Sequence, residues 1–213
     1  MFDLDGTLID SKSAILESAK RTLRSLRINS ISDNQIIESV GIPIQKLFET
    51  KLSGNELSYA VSEFQRDLLE TGAKSTKVYP GIETTLNELS DSNIKMAVVT
   101  NKPTRLAKSI LLDLGLESYF HLIVGLDSGR SPKPSGQMLL ETMQFFAPLK
   151  CAFMVGDRAE DINAAKDARV KSILIIHEDH QTQNSMHSDP DYTLNNLMHL
   201  PKLILGRDVD ADQ

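Results

Sequence analysis

Apolar residues recur along this chain with two periods, and the change from one to the other marks its organisation. Recurrence every three to four positions predicts helices, while short continuous apolar runs bounded by turn residues predict buried strands. The first run is minimal: Met1-Phe2-Asp3-Leu4-Asp5 reads as a strand with two carboxylates near its end, closed by the turn residue Gly6. Ile15, Ala19, Leu23 and Leu26 then predict a helix over 11–26, with Lys20, Arg21, Arg24 and Arg27 on its polar face. Ser32-Asp33 is placed to cap a second short helix carrying Ile36, Ile37 and Val40. Gly41-Ile42-Pro43 breaks it, because a residue before proline is pushed out of the helical region. Helices over 44–52 and 55–69 follow, the second with Leu57, Val61, Phe64 and Leu68 along one side. No strand pattern interrupts this stretch before Thr71-Gly72.

From Tyr79-Pro80-Gly81 onward helices and strands alternate. A helix over 82–90 precedes a strand over 94–100, whose second half is a largely continuous apolar run of the kind buried on both faces of a parallel sheet. Pro103 suits the first turn of the next helix, which carries Leu106, Ile110, Leu111 and Leu114 and stops at Gly115. A short strand over 122–125 and a stiff loop, Ser131-Pro132-Lys133-Pro134-Ser135, lead to a helix over 136–146 with Ser135 as its cap. Strand 151–155, helix 160–168, strand 172–176 and a last short strand over 191–194 complete the alternation, before helical turns bearing Leu197, Leu200, Leu203 and Leu205. This order predicts an α/β fold, a three-layer Rossmann-like parallel sheet with parallel crossovers, interrupted by an all-helical insertion. The expected division is a discontinuous core of residues 1–12 and 77–205, a helical subdomain of residues 13–76, and an acidic tail of residues 206–213 expected to be disordered.

Composition narrows the class. A chain of 213 residues has room for one core and one subdomain. A formal charge of −6 with no basic run argues against a nucleic-acid surface. One cysteine, Cys151, excludes an internal disulfide. No apolar stretch approaches a membrane span, and Asp3 and Asp5 occupy the place of the basic region of a signal peptide. A cytoplasmic enzyme, monomer or homodimer, acting on a small molecule and on neither nucleic acid nor membrane, is the expectation. His177, His180 and His187 lie among acids, but the run lacks apolar support and reads as a loop rather than a metal site.

Ligands of such sheets bind beyond the carboxyl ends of the strands, and Asp3, Asp5, Thr100, Lys133 and Asp157 all fall there. Residues i and i+2 of a strand share a side, so Asp3 and Asp5 are aimed into one volume. Carboxylates that close repel unless one is protonated or a cation lies between them. A nucleophile beside an acid/base with a divalent metal is one reading; a solvated acidic turn is the other. Thr100 alone reads equally as a β-branched strand residue, Lys133 as a surface lysine stiffened by Pro132 and Pro134, and Asp161 as a carboxylate suited to a helix N-terminus.

Asp3-Leu4-Asp5-Gly6-Thr7-Leu8 resembles the first motif of the haloacid dehalogenase-like phosphatases, in their phosphoglycolate phosphatase-like branch. Thr100, Lys133 and Gly156-Asp157-x-x-x-Asp161 match the second, third and fourth motifs in order, and the resemblance spans about residues 1–205. It implies that Asp3 attacks phosphorus, that Asp5 is general acid/base, that Thr100 and Asn101 contact the phosphoryl group, and that Lys133 neutralises its charge. Lys102 is a second candidate cation, but the resemblance assigns that role to Lys133. Mg²⁺ is implied, held by Asp3, the backbone carbonyl of Asp5, and Asp157, with Asp161 direct or through water. The helical insertion becomes a cap, in which Gly41 and Arg66 are the expected substrate contacts. The activity implied is a Mg²⁺-dependent phosphatase working through an aspartyl-phosphate, with 2-phosphoglycolate the first substrate expected. Pyrophosphatase, sugar-phosphate phosphatase and β-phosphoglucomutase-type activities are the alternatives on this scaffold, and a non-catalytic binding member is a more distant one.

Three departures stand out. The glycine usual near position 169 is absent, Arg169 standing there. A His/Glu/Asp stretch from His177 replaces the usual glycine- and aromatic-rich loop. Only Met1 and Phe2 precede the first Asp where several apolar residues are typical, which gives the expectation that the natural chain starts upstream.

Overall fold

The computed structural model describes residues 1–177 and 188–206. The expectations for His180, His187 and the tail from residue 207 lie outside them. The chain begins at the centre of the sheet, where Phe2 forms parallel bridges to Val98 on one side and Val155 on the other. The Phe2 N–H donates to the Ala97 carbonyl at 2.9 Å and the Asp3 N–H to that of Val155 at 2.8 Å. Pairing on both sides fixes where Asp3 emerges. The Met1 ammonium donates to the Phe153 carbonyl at 2.8 Å, and burial pulls its pKa down to about 5.

After Leu4 the chain turns sharply. Leu8 and Ile9 N–H groups both donate to the Leu4 carbonyl, at 3.0 and 3.1 Å. Strand β1 (Ile9–Asp10) leads into α1 (Lys12–Ser25), α2 (Asp33–Glu38), α3 (Ile44–Phe48) and α4 (Gly54–Thr71). Strand β2 (Lys77–Val78) then pairs antiparallel with β1, Ile9 opposite Val78 and Asp10 opposite Lys77. The helical block therefore leaves and rejoins the core through adjacent strands. Two residues are too few for a period, so hydrophobic patterning does not predict this ribbon.

Within the block, α2 starts at a capping box: Ser32 Oγ accepts from the Gln35 N–H at 3.3 Å, and Gln35 Oε1 accepts from the Ser32 N–H at 2.9 Å. Helix α3 is shorter than the expected 44–52. The Thr50 hydroxyl donates to the Leu47 carbonyl at 2.7 Å, the local competition that favours turns over helix. Ala14, Ile15, Ala19, Leu23, Ile36, Phe48, Phe64 and Leu68 form the block's core, and Leu106 joins them from the sheet-bearing part. Phe48 and Phe64 meet edge to face with centroids 6.1 Å apart.

The remaining elements are α5 (Ile82–Asp91), β3 (Ala97–Val99), α6 (Thr104–Asp113), β4 (Leu122–Val124), α7 (Gln137–Phe146), β5 (Phe153–Gly156), α8 (Ala159–Asp167), β6 (Lys171–Ile175), β7 (Tyr192–Leu194) and α9 (Leu200–Leu205). β3 pairs parallel with β4, β5 with β6, and β6 with β7. With Phe2 between β3 and β5 this is one parallel sheet, β4-β3-Phe2-β5-β6-β7. Successive strand residues face opposite layers. Val98 packs with Leu86, Leu89, Ile110, Leu111 and Leu200 on one face; Val99 packs with Met138, Leu139, Ala164 and Ala165 on the other. The result is a three-layer α/β Rossmann-like core, with β3 shorter than the expected 94–100. At Arg169 the backbone is left-handed, φ +55°, the conformation glycine favours just past a helix end.

Candidate active site

The carboxyl edge of the central strands gathers Asp3, Thr100, Asn101, Lys133, Asp157 and Asp161, each at most 8% exposed. Asp157 follows β5 and Asp161 lies in the first turn of α8. Lys133 comes from the loop between β4 and α7. Its Nζ donates to Asp3 Oδ1 at 2.6 Å, Asp161 Oδ1 at 2.6 Å and the Val99 carbonyl at 3.0 Å. The ammonium's three protons are thereby all engaged. Thr7 Oγ1 donates to Asp157 Oδ1 at 3.0 Å, and the Arg158 N–H donates to Asp161 Oδ2 at 3.1 Å.

Two glycines make this density possible. A Cβ on Gly6, whose φ is +88°, would lie 2.4 Å from Asp157 Oδ2. One on Gly156 would lie 2.3 Å from the Asp161 side chain. Both contacts are far inside van der Waals distance, so only backbone fits.

Asp3, Asp157 and Asp161 each present an oxygen, and the three oxygens lie within 4.8 Å of one another. Three carboxylates and one ammonium leave a formal excess of −2. Burial raises the Asp3 pKa to about 7 against the pull of Lys133, with Asp161 pushing the same way as burial. Burial, then Asp161 and Asp3, raise Asp157 well above the carboxylate range. For Lys133 burial alone would lower the pKa, but Asp161 and Asp3 outweigh it and hold the group protonated. A hard divalent cation takes oxygen ligands and a small number of carboxylates. Three buried carboxylates and their excess charge fit it.

Asp5 goes elsewhere. Ser11 Oγ donates to its Oδ1 at 2.5 Å and Lys102 Nζ lies 3.0 Å from its Oδ2, with both charged side chains buried. The sequence expectation put Asp3 and Asp5 in one volume. The turn after Leu4 separates their carboxylates, one joining the acidic trio and the other lining a cavity of about 40 Å³ between the helical block and the core. Ile15, Ser39, Gly41, Ile42, Phe64 and Lys102 also line that cavity. A wider cleft of about 440 Å³ shares Ile44, Gln65, Asn101 and Pro103 with it and is also lined by Lys46 and Arg130.

Of the other expected residues, Thr100 is buried, its Oγ1 accepting from the Lys102 N–H at 3.2 Å. Asn101 Oδ1 accepts from the Lys133 N–H at 2.8 Å, and its Nδ2 donates to the Gly41 carbonyl at 3.1 Å. Gly41, φ +85°, is at the cavity. Arg66 is not brought to it: its side chain is 66% exposed and pairs with Glu63 one turn away, because position 66 lies on the solvent face of α4. Sequence reasoning passed over Ser11 and Arg158, and set Lys102 aside. Thr7 and Arg158 sit inside the recognised motifs, the one available signal for them. His177 stacks on Tyr79 at 3.6 Å between centroids, with Nε2 3.1 Å from the Thr7 carbonyl.

Comparison with known proteins places this geometry in a family. The family model described as haloacid dehalogenase-like hydrolase matches residues 1–175. The chain is 36% identical over 206 residues to a phosphoglycolate phosphatase of Aquifex aeolicus, covering 96% of this chain and 95% of that protein. It is 29% identical to a putative pyrophosphatase of Caldanaerobacter subterraneus, covering 100% and 97%. A crystal structure of a predicted phosphatase from Clostridium acetobutylicum superposes with a TM-score of 0.84 at 29% identity, covering 96% of each chain. The chain belongs to the haloacid dehalogenase-like hydrolases.

Proposed function

We propose that the protein is a Mg²⁺-dependent phosphatase that hydrolyses a small phosphorylated metabolite, 2-phosphoglycolate first among candidates, through an aspartyl-phosphate. The observation that carries this reading is the division of labour at the carboxyl edge. Asp3 is held by Lys133 in the acidic trio, whereas Asp5, two residues on, faces the neighbouring cavity. The phosphoryl group would sit over Asp3 and the leaving group in the cavity. Asp3 attacks phosphorus, and Asp5 gives a proton to the departing alkoxide. Asp5 then takes a proton from water, which attacks the aspartyl-phosphate and releases orthophosphate. Lys133 offsets charge that grows on the phosphoryl oxygens, where fixed donors in a dry site are most effective. Thr100 and Asn101 flank the same space.

Asp3, Asp157 and Asp161 would hold Mg²⁺, with the Asp5 backbone carbonyl; the ion would neutralise the trio and polarise the phosphoryl group. In this reading residues 1–12 and 77–205 are the catalytic core and residues 13–76 a cap. No helix among the described residues is long and apolar enough to cross a membrane. The cavity's small volume and buried Lys102 suit a short leaving group bearing its own negative charge, as in 2-phosphoglycolate. The names of the relatives from Aquifex aeolicus and Caldanaerobacter subterraneus are consistent with a small anionic phosphate ester or anhydride.

The test is orthophosphate release from a panel of phosphate monoesters and pyrophosphate, with and without Mg²⁺, for wild type and Asp3→Asn. Mg²⁺-dependent release from 2-phosphoglycolate that Asp3→Asn abolishes is expected. Wild-type-like turnover by Asp3→Asn overturns the mechanism, and a clear preference for pyrophosphate moves the substrate to the anhydride.

A further inference from the structure

Arg158 is used by none of the steps above, yet its guanidinium is among the most buried charges in the molecule. The residue is 5% exposed. It follows Asp157 at the end of β5, and its side chain leaves the core and enters the helical block. Nη1 donates to the Val40 carbonyl at 2.8 Å and approaches the Glu38 carbonyl at 3.4 Å, while Nε pairs with Glu160 at 3.3 Å. Nη2 is buried without a hydrogen-bond partner among the described residues. Its Cδ runs so close to Gly41 that a Cβ there would come within 2.8 Å.

Asn101 grips the next carbonyl in line, that of Gly41, at 3.1 Å. Donors from two strand ends of the core, after β3 and after β5, thus hold the carbonyls of Glu38, Val40 and Gly41. This is the segment of the block that lines the cavity beside Asp5. Each donor also touches the charged centre through another atom. Asn101 accepts from the Lys133 N–H, and the Arg158 N–H donates to Asp161.

We infer that Arg158, with Asn101, forms a two-point clamp that seats segment 38–41 over the site and ties that seating to the loop of Lys133 and to Asp161. Arg158 is a positioning residue, distinct from the groups that touch phosphorus. This rests on the phosphatase reading for its catalytic consequence, while the clamp itself rests only on the contacts above. Charge-assisted bonds to carbonyls are stronger than neutral ones. The stranded Nη2 offsets part of that gain, since a buried donor without a partner is destabilising.

The experiment compares wild type, Arg158→Met, which keeps the stem, and Arg158→Lys, which keeps a charge and a donor. Amide hydrogen exchange is followed without added ligand. Removing charge-assisted bonds of ordinary strength shifts the open–closed balance roughly tenfold or more. Arg158→Met is therefore expected to speed exchange of peptides covering residues 38–42 by about tenfold, with peptides in the middle of α1 and α4 unchanged, and Arg158→Lys is expected to recover part of the protection. In kinetics, kcat/KM for 2-phosphoglycolate is expected to fall about tenfold in Arg158→Met. p-Nitrophenyl phosphate, whose aryl group is too large for the closed cavity, is expected to lose no more than about threefold. Unchanged exchange at 38–42 overturns the clamp, and so does a uniform rise across both parts of the molecule, which marks a merely structural residue. Equal losses on the two esters overturn its role in seating the leaving group. If wild type hydrolyses neither ester the phosphatase reading fails, and the exchange result still decides the clamp.

Discussion

Two buried lysine–carboxylate sites lie within one strand end of each other, and they differ in stoichiometry. At the first, Lys133 serves Asp3 and Asp161 at 2.6 Å each, with Asp157 alongside. At the second, Lys102 serves Asp5 alone, helped by the Ser11 hydroxyl. The first keeps an excess of negative charge in a dry place, so Asp3 and Asp157 hold protons above their ordinary range. The second is balanced as it stands. Under the proposed function the first site would take the metal and the phosphoryl group, and at the second an anionic leaving group would compete with Asp5 for Lys102.

Removing the shared cation should have the larger effect. Lys133→Met leaves three carboxylates without an ammonium. Breaking a buried pair from one side costs about 3–5 kcal/mol, and losing one donor to a developing oxyanion costs about 100- to 1,000-fold in turnover. Melting temperature and phosphate release are expected to fall together. Retention of both within a fewfold would show that the trio is not dominated by its lysine.

The same imbalance sets a pH dependence. Asp3 sits at about 7 when folded against an ordinary value of 3.8. Between those values the folded state holds a proton that the unfolded state has lost, so the Asp3 contribution to stability declines as pH rises from about 4 to 7. Asp157 adds to that decline, and the buried Met1 amine, held at about 5, opposes it above pH 5. Under the proposed function Mg²⁺ would compete with that proton. The metal-free protein is expected to melt at a lower temperature at pH 7.5 than at pH 5, and Mg²⁺ to raise the melting temperature more at pH 7.5. A metal effect that is larger at pH 5 would contradict the charge count.

How much of this was legible in the sequence follows from the range of each contact. Asp3, Lys133 and Asp157 could be placed together because strand ends leave local signatures and one sheet edge collects them, while the choice of Lys133 and the inclusion of Asp161 came from the motif resemblance. Which carboxylate faces which lysine could not, because it depends on a turn at Gly6 and on approaches between distant residues. Thr7 meets Asp157 across 150 positions and Arg158 meets Val40 across 118. The ribbon of β1 and β2 is too short for any period, and the stacking of His177 on Tyr79 leaves none either. The absent glycine was legible in another way: Arg169 adopts the left-handed conformation that a glycine would take there.

Lys102→Met tests the second site and should be milder. It strands one buried carboxylate rather than three, and a charge-assisted bond to a ligand is worth about 1.5–3 kcal/mol, or roughly ten- to a hundredfold. The loss is expected mainly in KM for substrates whose leaving group is anionic, with a smaller change for neutral ones. Equal losses for both kinds would reduce Lys102 to a structural partner of Asp5.

The smallest effect is expected at Arg66, the residue that the sequence offered as a substrate contact in the helical block. Its side chain is 66% exposed and its partner Glu63 lies three positions back on the same helix. Exposed pairs of this kind contribute little because water screens them and both side chains lose freedom. Arg66 also lies outside the lining of either cavity, whereas Gly41 and Gln65 are in it. Arg66→Ala should therefore leave the ranking of substrates within about twofold, against the roughly tenfold expected for a charged ligand contact. A selective loss on anionic substrates would mean that Arg66 swings inward when substrate binds. The balance between Lys102 and Asp5 would then need a third charge.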